Sequence, residues 1–433
     1  MTMYDILEKK KNNIPLTKEE IEFFVNGFTN GKIPDYQASA LLMAICINGL
    51  SVEETLNLTL AMANSGEKLD LSKINGVKVD KHSTGGVGDK ATLIVCPIVA
   101  CLGLKVAKMS GRGLGYSGGT ADKLESIPGY LTDIEIDKFI NQVNEIGISL
   151  ITQSSNITPA DKKIYALRDV TATIESIPLI ASSIMSKKLA TGADVIVMDV
   201  KTGSGAFMKD ENSALNLAHE MVKIGKNANK KMAAVISDMN QPLGKTIGNT
   251  LEIIEVIDVL KGNGPKDLKD LSIELATLMV SLGSNITYDE AREKVIEVIE
   301  NGLAFDKFKE LVVSQNGDIK YIDDVNLFIK ETYKVEVISK EQGYIKTMDT
   351  ESIGKISVLL GAGRIKKEDK IDNTAGIVLN KKIGDYVEEG EVLAYLYSST
   401  INPDTLINNY LETITYSDEE VNKPELIIKV IKE

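Results

Sequence analysis

Two glycine-rich stretches carry residue types that can bind an anion. They cover residues 81–89, KHSTGGVGD, and residues 110–120, SGRGLGYSGGT. Glycine lets the backbone approach a ligand closely, while hydroxyl and lysine side chains donate hydrogen bonds. The hydroxyl and lysine donors in and beside the two stretches are Lys81, Ser83, Thr84, Thr92, Lys108, Ser110 and Thr120. One such loop is often only a tight turn, but two in series favour a phosphate site.

The charge around these loops also indicates a small anionic ligand. Seven basic and three acidic residues lie between Lys78 and Lys123, a local balance of +4 in a chain whose net charge is −13. A basic island in an acidic protein is suited to a small anion rather than to nucleic acid or an anionic membrane. Neither stretch is a P-loop, because G-x-x-x-x-G-K-[ST] is absent from both.

Each glycine stretch lies between a predicted strand and a predicted helix. Residues 77–79 read as a strand before the first stretch, and residues 91–100 as a helix after it. Residues 104–107 read as a strand before the second stretch, and a helix opens near Ala121. This order aims backbone N–H groups and the positive end of a helix at an anion. On neighbouring parallel strands, the two loops would close on one ligand.

Helices alone are predicted in two separate segments. Residues 1–66 contain S/T-x-x-E capping boxes at Thr17 and Ser51, each of which starts a helix. Residues 156–192 also read as helices, and Pro178 suits the first turn of one of them. We therefore predict a discontinuous all-α domain made of residues 1–66 with 156–192.

Strands alternate with helices in the remaining central part of the chain. Residues 67–155 show this alternation, which resumes over residues 193–331. Alternation of this kind predicts an α/β domain with a mostly parallel central sheet. The crossings between the α segments and the α/β segments predict a cleft with hinges between two domains, the larger of which binds phosphate.

The C-terminal segment, residues 332–433, changes to β structure with glycine turns. Within it, residues 376–397 resemble half of a biotinyl/lipoyl-type barrel. A swinging carrier needs a lysine in the hairpin after such a half, but residues 397–400 read YSST. We therefore predict a C-terminal α+β region containing a barrel-sandwich-like element with a structural role.

Composition narrows the class of protein further. The 433 residues are 43% hydrophobic and 26% charged, without tryptophan, as in ordinary globular proteins that lack base-stacking platforms. No stretch is long enough to span a bilayer, so we expect a cytoplasmic protein. The cysteines Cys46, Cys96 and Cys101 are expected to be buried thiols. With only His82 and His219 in the chain, a histidine zinc site is not expected.

A second set of polar residues fits the edge of a pyrimidine ring. Arg168 lies in one predicted helix, while Ser183 and Lys187 lie one turn apart on the same face of another. The ring offers O2, N3–H and O4, which need one acceptor and two donors, and Ser, Arg and Lys supply these. The same spacing fits solvated helix charges equally well.

The glycine motifs resemble the signature segments of the thymidine/pyrimidine-nucleoside phosphorylases. The matching segments are residues 81–89 and residues 110–125, SGRGLGYSGGTADKLE, and the resemblance runs from about residue 1 to 433. It implies a cleft that closes between an α and an α/β domain, and a homodimer formed through the α domain. The implied reaction is the reversible phosphorolysis of uridine, thymidine and deoxyuridine to free base and (2-deoxy)-α-D-ribose 1-phosphate, with inorganic phosphate as co-substrate and no organic cofactor.

The resemblance also implies the residues of the site. Phosphate would bind to Lys81, His82, Ser83, Thr92, Lys108, Met109, Ser110 and Thr120, and the base to Arg168, Ser183 and Lys187. The catalytic residues would be His82, Arg168 and Lys187, which would stabilise the negative charge that develops on the base. His82 would donate to O2 as a hydrogen bond or as a general acid. A lysine at position 108 resembles the pattern of the broad-specificity branch of the family.

Two positions depart from the family pattern. A potassium site of the broad-specificity branch maps to Gly88, Leu243, Thr246 and Glu255, together with position 90. The family has threonine at position 90, where this chain has Lys90, and an ammonium group there could replace the ion. The second loop has Tyr116-Ser117 where the family commonly shows His-Thr.

Alternative functions remain open at this point. A strict thymidine phosphorylase would share the same motifs. An anthranilate phosphoribosyltransferase would be expected to carry a GTGGDG-like loop and magnesium-binding acids, whereas this chain reads STGGVGD. A catalytically silent binding homologue is disfavoured because His82, Arg168, Ser183 and Lys187 are all present.

Overall fold

The N-terminal helices begin where the capping motifs predict. The computed structural model describes residues 1–113, 115–116, 118–152, 156–329, 332–366 and 368–432. The first helices are α1 (Met3–Lys11), α2 (Lys18–Thr29), α3 (Asp35–Asn48) and α4 (Val52–Ala63). Thr17 and Ser51 each accept a hydrogen bond from the backbone N–H three residues on, and the glutamate there accepts one in return. Both predicted capping boxes are therefore confirmed.

The first half of the α/β part follows the predicted alternation. Its elements are β1 (Val79–Ser83), α5 (Ala91–Cys101), β2 (Val106–Ser110), α6 (Thr120–Glu125), α7 (Ile136–Ile146) and β3 (Ile148–Thr152). The predicted range of the first strand, 77–79, was wrong. The strand begins at Val79, and parallel pairing with the segment from Val195 to Asp199 continues it through Ser83. Lys81, His82 and Ser83 therefore end a strand and do not belong to the loop.

The helices of the second helical segment pack against the N-terminal ones. They are α8 (Pro159–Asp169) and α9 (Ile177–Ala190). Ala160, Ile164 and Leu179 are buried in one core with the apolar side chains of α1 to α4. The hydrophobic face of this segment is thus covered by helices that lie far from it in sequence.

The second half of the α/β part completes a parallel sheet. It contains β4 (Val195–Thr202), α10 (Glu211–Asn227), β5 (Lys231–Asp238), β6 (Thr246–Ile247), α11 (Asn249–Leu260), α12 (Lys266–Ser284), α13 (Tyr288–Glu300), α14 (Leu303–Ser314) and α15 (Lys320–Asp323). The strands lie in the order β3, β2, β1, β4, β5, all parallel, and a bridge between Lys78 and Lys105 joins β1 to β2. The predicted mostly parallel sheet is confirmed.

Helix α9 contacts both parts of the molecule. Its Leu179 lies in the core of the helical part, while Ile180 and Met185 pack with Ile196 and Met198 of the central sheet. A helix that belongs to both cores joins the helical part to the central sheet.

The C-terminal segment forms two small antiparallel sheets. Its elements are β7 (Tyr333–Ile338), β8 (Gly343–Met348), α16 (Thr350–Ser357), β9 (Gly376–Leu379), β10 (Tyr386–Val387), β11 (Val392–Ser398), α17 (Ile407–Leu411), β12 (Ile414–Ser417) and β13 (Ile427–Lys432). One sheet has the order β6, β9, β11, β7 and the other β10, β8, β12. They enclose one core that includes Ile345, Ile377 and Leu396, as expected for a barrel-sandwich-like element. Ser399 lies where a biotinyl or lipoyl carrier domain has its lysine hairpin. Its N–H and its hydroxyl both donate hydrogen bonds to the Asp372 carboxylate.

The chain returns to the central sheet with β13. This strand pairs antiparallel with β5, from Ile427 opposite Ser237 to Lys432 opposite Ala233. Residues 427–432 thus belong to the α/β sheet, although they lie in the segment that the sequence assigned to the C-terminal region.

Short helical turns complete the structure at Val325–Ile329, Val358–Ala362 and Pro403–Leu406. Within the described ranges, no helix combines the length and the apolar character that crossing a membrane requires.

Candidate active site

The carboxyl ends of β1 and β2 meet at a cavity of about 210 Å³. All of the predicted phosphate residues line it, together with one predicted base residue: Lys81, His82, Ser83, Thr92, Lys108, Met109, Ser110, Thr120 and Lys187. Thr92 and Thr120 lie in the first turns of α5 and α6. Backbone N–H groups there have no partner within the helix, so these turns favour an anion. Strand order and loop chemistry therefore bring one anion site together.

Lys81 is buried between two carboxylates. Its Nζ lies 3.1 Å from Asp199 and 3.8 Å from Asp89, and its side chain is fully buried. Burial opposes the charged form, but Asp89 and Asp199 prevail and raise the pKa of Lys81. The ammonium group therefore fixes the first glycine loop to the end of β4 more than it offers a free charge.

Two lysines share the carboxylate of Asp80 beside the cavity. Lys108 Nζ lies 2.9 Å from one oxygen and Lys188 Nζ lies 2.8 Å from the other. Lys108 also donates to the carbonyl oxygen of Lys81 at 2.6 Å. Burial favours the neutral acid, but Lys108 and Lys188 outweigh it and lower the pKa of Asp80. Two cations on one anion leave a positive balance at the cavity.

Asp80 and Lys188 were missed in the sequence. Each has a signal that could have found it, because Asp80 directly follows a predicted strand and precedes the first glycine stretch, and Lys188 is the neighbour of Lys187. Lys188 lines the same cavity. Burial lowers the pKa of Lys188, partly offset by Asp80.

His82 carries a neutral imidazole in this environment. Burial lowers its pKa well below the usual 6.5, and the positive charges of Lys188 and Lys108 lower it further. A neutral imidazole has one N–H donor and one acceptor nitrogen. His82 can therefore donate a hydrogen bond at neutral pH, whereas a charged general acid is disfavoured.

The predicted base residues do not all reach the cavity. Arg168 and Ser183 are absent from its lining, although Lys187 is present. The guanidinium of Arg168 donates to the carbonyl oxygens of Thr173, Ile174 and Leu179 at 2.7–3.1 Å. It thereby holds the end of α8 to the start of α9, and its five N–H groups leave two for a ligand.

Lys187 links the two base-side helices. Its Nζ lies 2.6 Å from the Asp161 carboxylate of α8 and donates to the Ser183 hydroxyl at 3.2 Å. The side chain is 32% exposed, so it can exchange these partners for a ligand. The predicted pairing of Ser183 and Lys187 on one helix face is confirmed.

The second glycine loop is held by a carboxylate. Asp122 accepts a hydrogen bond from the Gly113 N–H at 2.6 Å and pairs with Arg364 of the C-terminal region at 3.0 Å. No sequence signal pointed to Arg364, since its partner lies far away in the chain. Two positions of this loop, Leu114 and Ser117, lie outside the described residues. Of the pair Tyr116-Ser117, at which the loop differs from the family pattern, Tyr116 is therefore the one that the structure describes.

The atoms of the predicted potassium site surround a lysine. Lys90 Nζ donates to the carbonyl oxygens of Leu243 and Thr246 at 3.1 and 2.8 Å and to the Thr246 hydroxyl at 3.1 Å. It also forms an ion pair with Glu255, and its side chain is 0% exposed. Gly88 lies against the same carbonyl groups. The predicted residues are thus together, with an ammonium group at their centre.

A larger groove of about 800 Å³ lies apart from the glycine loops, beside the C-terminal region. Four of its charged side chains form ion pairs within the groove, Lys382 with Asp267 at 2.5 Å and Lys423 with Asp385 at 2.7 Å. Although it is larger, it lacks the converging donors of the smaller cavity, which we take as the candidate active site.

Family models match three successive parts of the chain. The helical bundle domain of the glycosyl transferase family matches residues 4–66, and the a/b domain of that family matches residues 75–305. The pyrimidine nucleoside phosphorylase C-terminal domain matches residues 344–417. These matches define a glycosyl transferase with a phosphorylase-type C-terminal region.

Relatives of similar length narrow the class. The pyrimidine-nucleoside phosphorylases of Staphylococcus haemolyticus (strain JCSC1435) and Bacillus subtilis (strain 168) are each 54% identical over 434 residues, which cover 100% of both chains. The chain belongs to the pyrimidine-nucleoside phosphorylase family, as its motifs predicted.

A solved structure shares the fold. The anthranilate phosphoribosyltransferase of Thermus thermophilus is 17% identical, with a TM-score of 0.57 over 71% of this chain and 98% of that one. At this identity the likeness concerns the architecture alone. It does not favour the phosphoribosyltransferase alternative, because the C-terminal match and the full-length relatives indicate the phosphorylase family.

Proposed function

We propose that this enzyme catalyses the reversible phosphorolysis of pyrimidine nucleosides, with uridine, thymidine and deoxyuridine as substrates. The observation that carries the proposal is the cavity in which both glycine loops face Lys187 of the helical part. It combines an anion site with donors for a base across a cleft, as a phosphate-dependent cleavage of a nucleoside requires. The products are the free base and (2-deoxy)-α-D-ribose 1-phosphate.

Phosphate would bind at the ends of β1 and β2. The hydroxyl groups of Ser83, Thr92, Ser110 and Thr120 line this position, and Thr92 lies in the first turn of α5. Lys108 supplies positive charge, while Lys81 holds the loop through Asp199. These donors are fixed before substrate arrives, so little reorganisation is needed when phosphate binds.

The chemical step transfers the sugar from the base to phosphate. A phosphate oxygen forms a bond to C1′ while the bond between C1′ and N1 breaks, and the electron pair of that bond moves onto the base. The neutral His82 donates its N–H to O2, and Arg168 and Lys187 stabilise the charge on the ring oxygens. Each donor that strengthens in the transition state is worth about 3 kcal/mol.

Closure of the cleft would complete the base site. Arg168 and Ser183 lie on helices of the α domain, outside the cavity that holds the phosphate residues. Because α9 packs in both cores, a rotation about it would bring these side chains toward the bound base. Closure would also exclude water, which could otherwise attack C1′ in place of phosphate and hydrolyse the nucleoside.

We also propose that two copies associate through α3. Tyr36, Met43 and Ile47 are exposed along one side of this helix, while Leu41 and Ile45 are buried on the other. With the exposed Ala40 between them, the exposed residues are spaced by three or four and form a stripe that suits a second helix, and a symmetric dimer presents the same stripe from both copies. Met43→Lys should give monomers in analytical ultracentrifugation.

We further propose that the enzyme is located in the cytoplasm. In that compartment its three thiols would stay reduced.

The proposed reaction is tested by phosphate-dependent release of free base. Uridine, thymidine, deoxyuridine and inosine would be compared with and without phosphate. Release from the three pyrimidine nucleosides and not from inosine is expected, and Lys108 would mark this broad specificity. Release from thymidine alone would indicate the strict thymidine phosphorylase instead. If none of the four nucleosides released its base, the proposal would be overturned and the alternative of a catalytically silent binding homologue would remain.

A further inference from the structure

We propose that the Lys90 ammonium is a built-in cation that replaces a dissociable potassium ion beside the first glycine loop, and that its removal creates a potassium site. Lys90 does not line the cavity, so it acts as a positioning residue. The inference rests on the proposed function only where enzyme activity is the readout.

Two glycines show how closely the oxygen atoms surround the ammonium group. Gly244 has φ +70°, and a Cβ there would lie 2.3 Å from the Glu255 carboxylate and 3.1 Å from Lys90 Nζ. Gly88 has φ +73°, and a Cβ there would lie 2.7 Å from the Leu243 carbonyl oxygen. The ammonium fills the point on which these oxygens converge, and a second cation beside it would be repelled. The residues of this chain therefore do not fit the potassium ion that the family implies.

The oxygen atoms nevertheless need a cation. The Glu255 side chain is 5% exposed and also accepts hydrogen bonds from the Lys245 N–H at 2.8 Å and the Thr246 hydroxyl at 3.0 Å. Backbone carbonyl oxygens facing a common point are the groups that replace the hydration shell of potassium. A buried carboxylate that loses its cation destabilises the fold strongly. The site is therefore stable with an ammonium group or with a bound ion.

Lys90 connects the phosphate loop to two other parts of the structure. It is the N-cap residue of α5, next to Asp89 and two residues before Thr92, which lines the cavity. Thr246 lies in β6, which pairs with β9 of the C-terminal sheet, and Glu255 lies in α11. One side chain thus fixes the start of α5 relative to the C-terminal region, and with it the donors for phosphate.

Three variants separate charge from space. Lys90→Thr removes the ammonium, opens the space and adds a hydroxyl oxygen, whereas Lys90→Met removes the charge but keeps the volume. Lys10→Thr is the matched control, because Lys10 and Glu54 form another buried ion pair, at 2.9 Å, between α1 and α4. Melting temperatures would be measured by circular dichroism, since the chain has no tryptophan. Potassium chloride and choline chloride would be compared at equal ionic strength, with kcat/KM for phosphate as the second readout.

The proposal expects the wild type to have the same melting temperature and the same rate in both salts. In choline chloride, Lys90→Thr should melt lower by about 5 °C or more and lose about ten- to a hundredfold in kcat/KM for phosphate. Potassium chloride should restore most of both. For Lys90→Met, the decrease in melting temperature relative to the wild type should be the same in both salts. The same is expected for Lys10→Thr.

Two results would overturn the proposal. One is a wild-type rate or melting temperature that rises markedly with potassium. The other is a folded Lys90→Thr protein that melts at the same temperature in both salts. If Lys90→Thr is insoluble in both, the wild-type comparison decides alone. If the wild type releases no base from any nucleoside, the proposed function fails, while the melting temperatures still decide for or against Lys90 as the cation.

Discussion

The phosphate side and the base side of the cleft are assembled in different ways. On the phosphate side, the residues follow two neighbouring strands, so chain connectivity alone brings Ser83 and Ser110 to one cavity. On the base side, Arg168 and Ser183 come from a different domain and lie outside that cavity, and Lys187 is the base residue that reaches it. One side is complete in this conformation and the other is not.

This difference shows where each side obtains its rigidity. Buried ion pairs such as Lys81 with Asp199 and Lys108 with Asp80 hold the phosphate loops within a single domain. In the proposed closure, the base side would instead depend on how far α8 and α9 approach the sheet. Substitutions on the phosphate side should therefore change the chemical step most, whereas those on the base side should change nucleoside binding.

The largest expected effect is that of His82→Ala, which tests whether the phosphate side carries the chemistry. Loss of the donor to O2 should lower kcat/KM for uridine by about a hundredfold or more, with little change in the melting temperature. His82→Gln, which keeps an N–H donor, should recover part of the rate. The other histidine supplies the control, because His219→Gln on α10 should leave the rate unchanged. A His82→Ala enzyme that is as fast as the wild type would disprove the assigned role.

A smaller effect is expected from the base side, where substitutions of Arg168 and Lys187 should differ in how they change the melting temperature. Arg168→Ala removes hydrogen bonds from a charged group to three carbonyls, each worth about 1.5–3 kcal/mol, so it should lower the melting temperature and also raise KM for uridine. Lys187→Ala should raise KM for uridine and lower the melting temperature less than Arg168→Ala does, because it removes one ion pair whose lysine is 32% exposed, although its partner Asp161 is buried.

Lys162→Ala serves as the control for both, since Lys162 is exposed on α8 and should change neither quantity. If Arg168→Ala altered stability alone, with KM as in the wild type, Arg168 would be a structural residue and the base side would depend on Ser183 and Lys187.

The smallest effect is a pH dependence of stability that arises from His82. Its pKa is lower in the folded state than the usual 6.5, so the unfolded chain takes up a proton below pH 6.5 while the folded protein does not. Stability is therefore lost as the pH falls below 6.5, by about 1.4 kcal/mol for each unit of pKa difference. Relative to His82→Gln, the wild type should melt progressively lower as the pH decreases below 6.5 without phosphate. If the difference in melting temperature between the two proteins stayed constant with pH, the pKa of His82 would not be shifted in the folded state.

Local sequence signals predicted the parts of the molecule that local chemistry determines. The capping boxes at Thr17 and Ser51 fix helix starts through contacts three residues apart, and the glycine stretches place donors directly after two strands. Lys188 and Arg364 escaped prediction because their partners, Asp80 and Asp122, are brought to them by tertiary packing. The end of β1 was misplaced for a similar reason, since pairing with β4 determines how far the strand extends.

The position of β13 was equally hidden, because the sequence of a strand does not show which sheet the strand joins. Its position on β5 has a consequence for synthesis in the cell. The hydrogen-bonding edge of β5 is complete once residue 238 has been made, but its cover arrives only with residues 427–432. Until then the nascent chain presents a bare apolar edge, which is a template for aggregation. Chains that are interrupted before this strand is made would be the ones that a chaperone or a protease must remove.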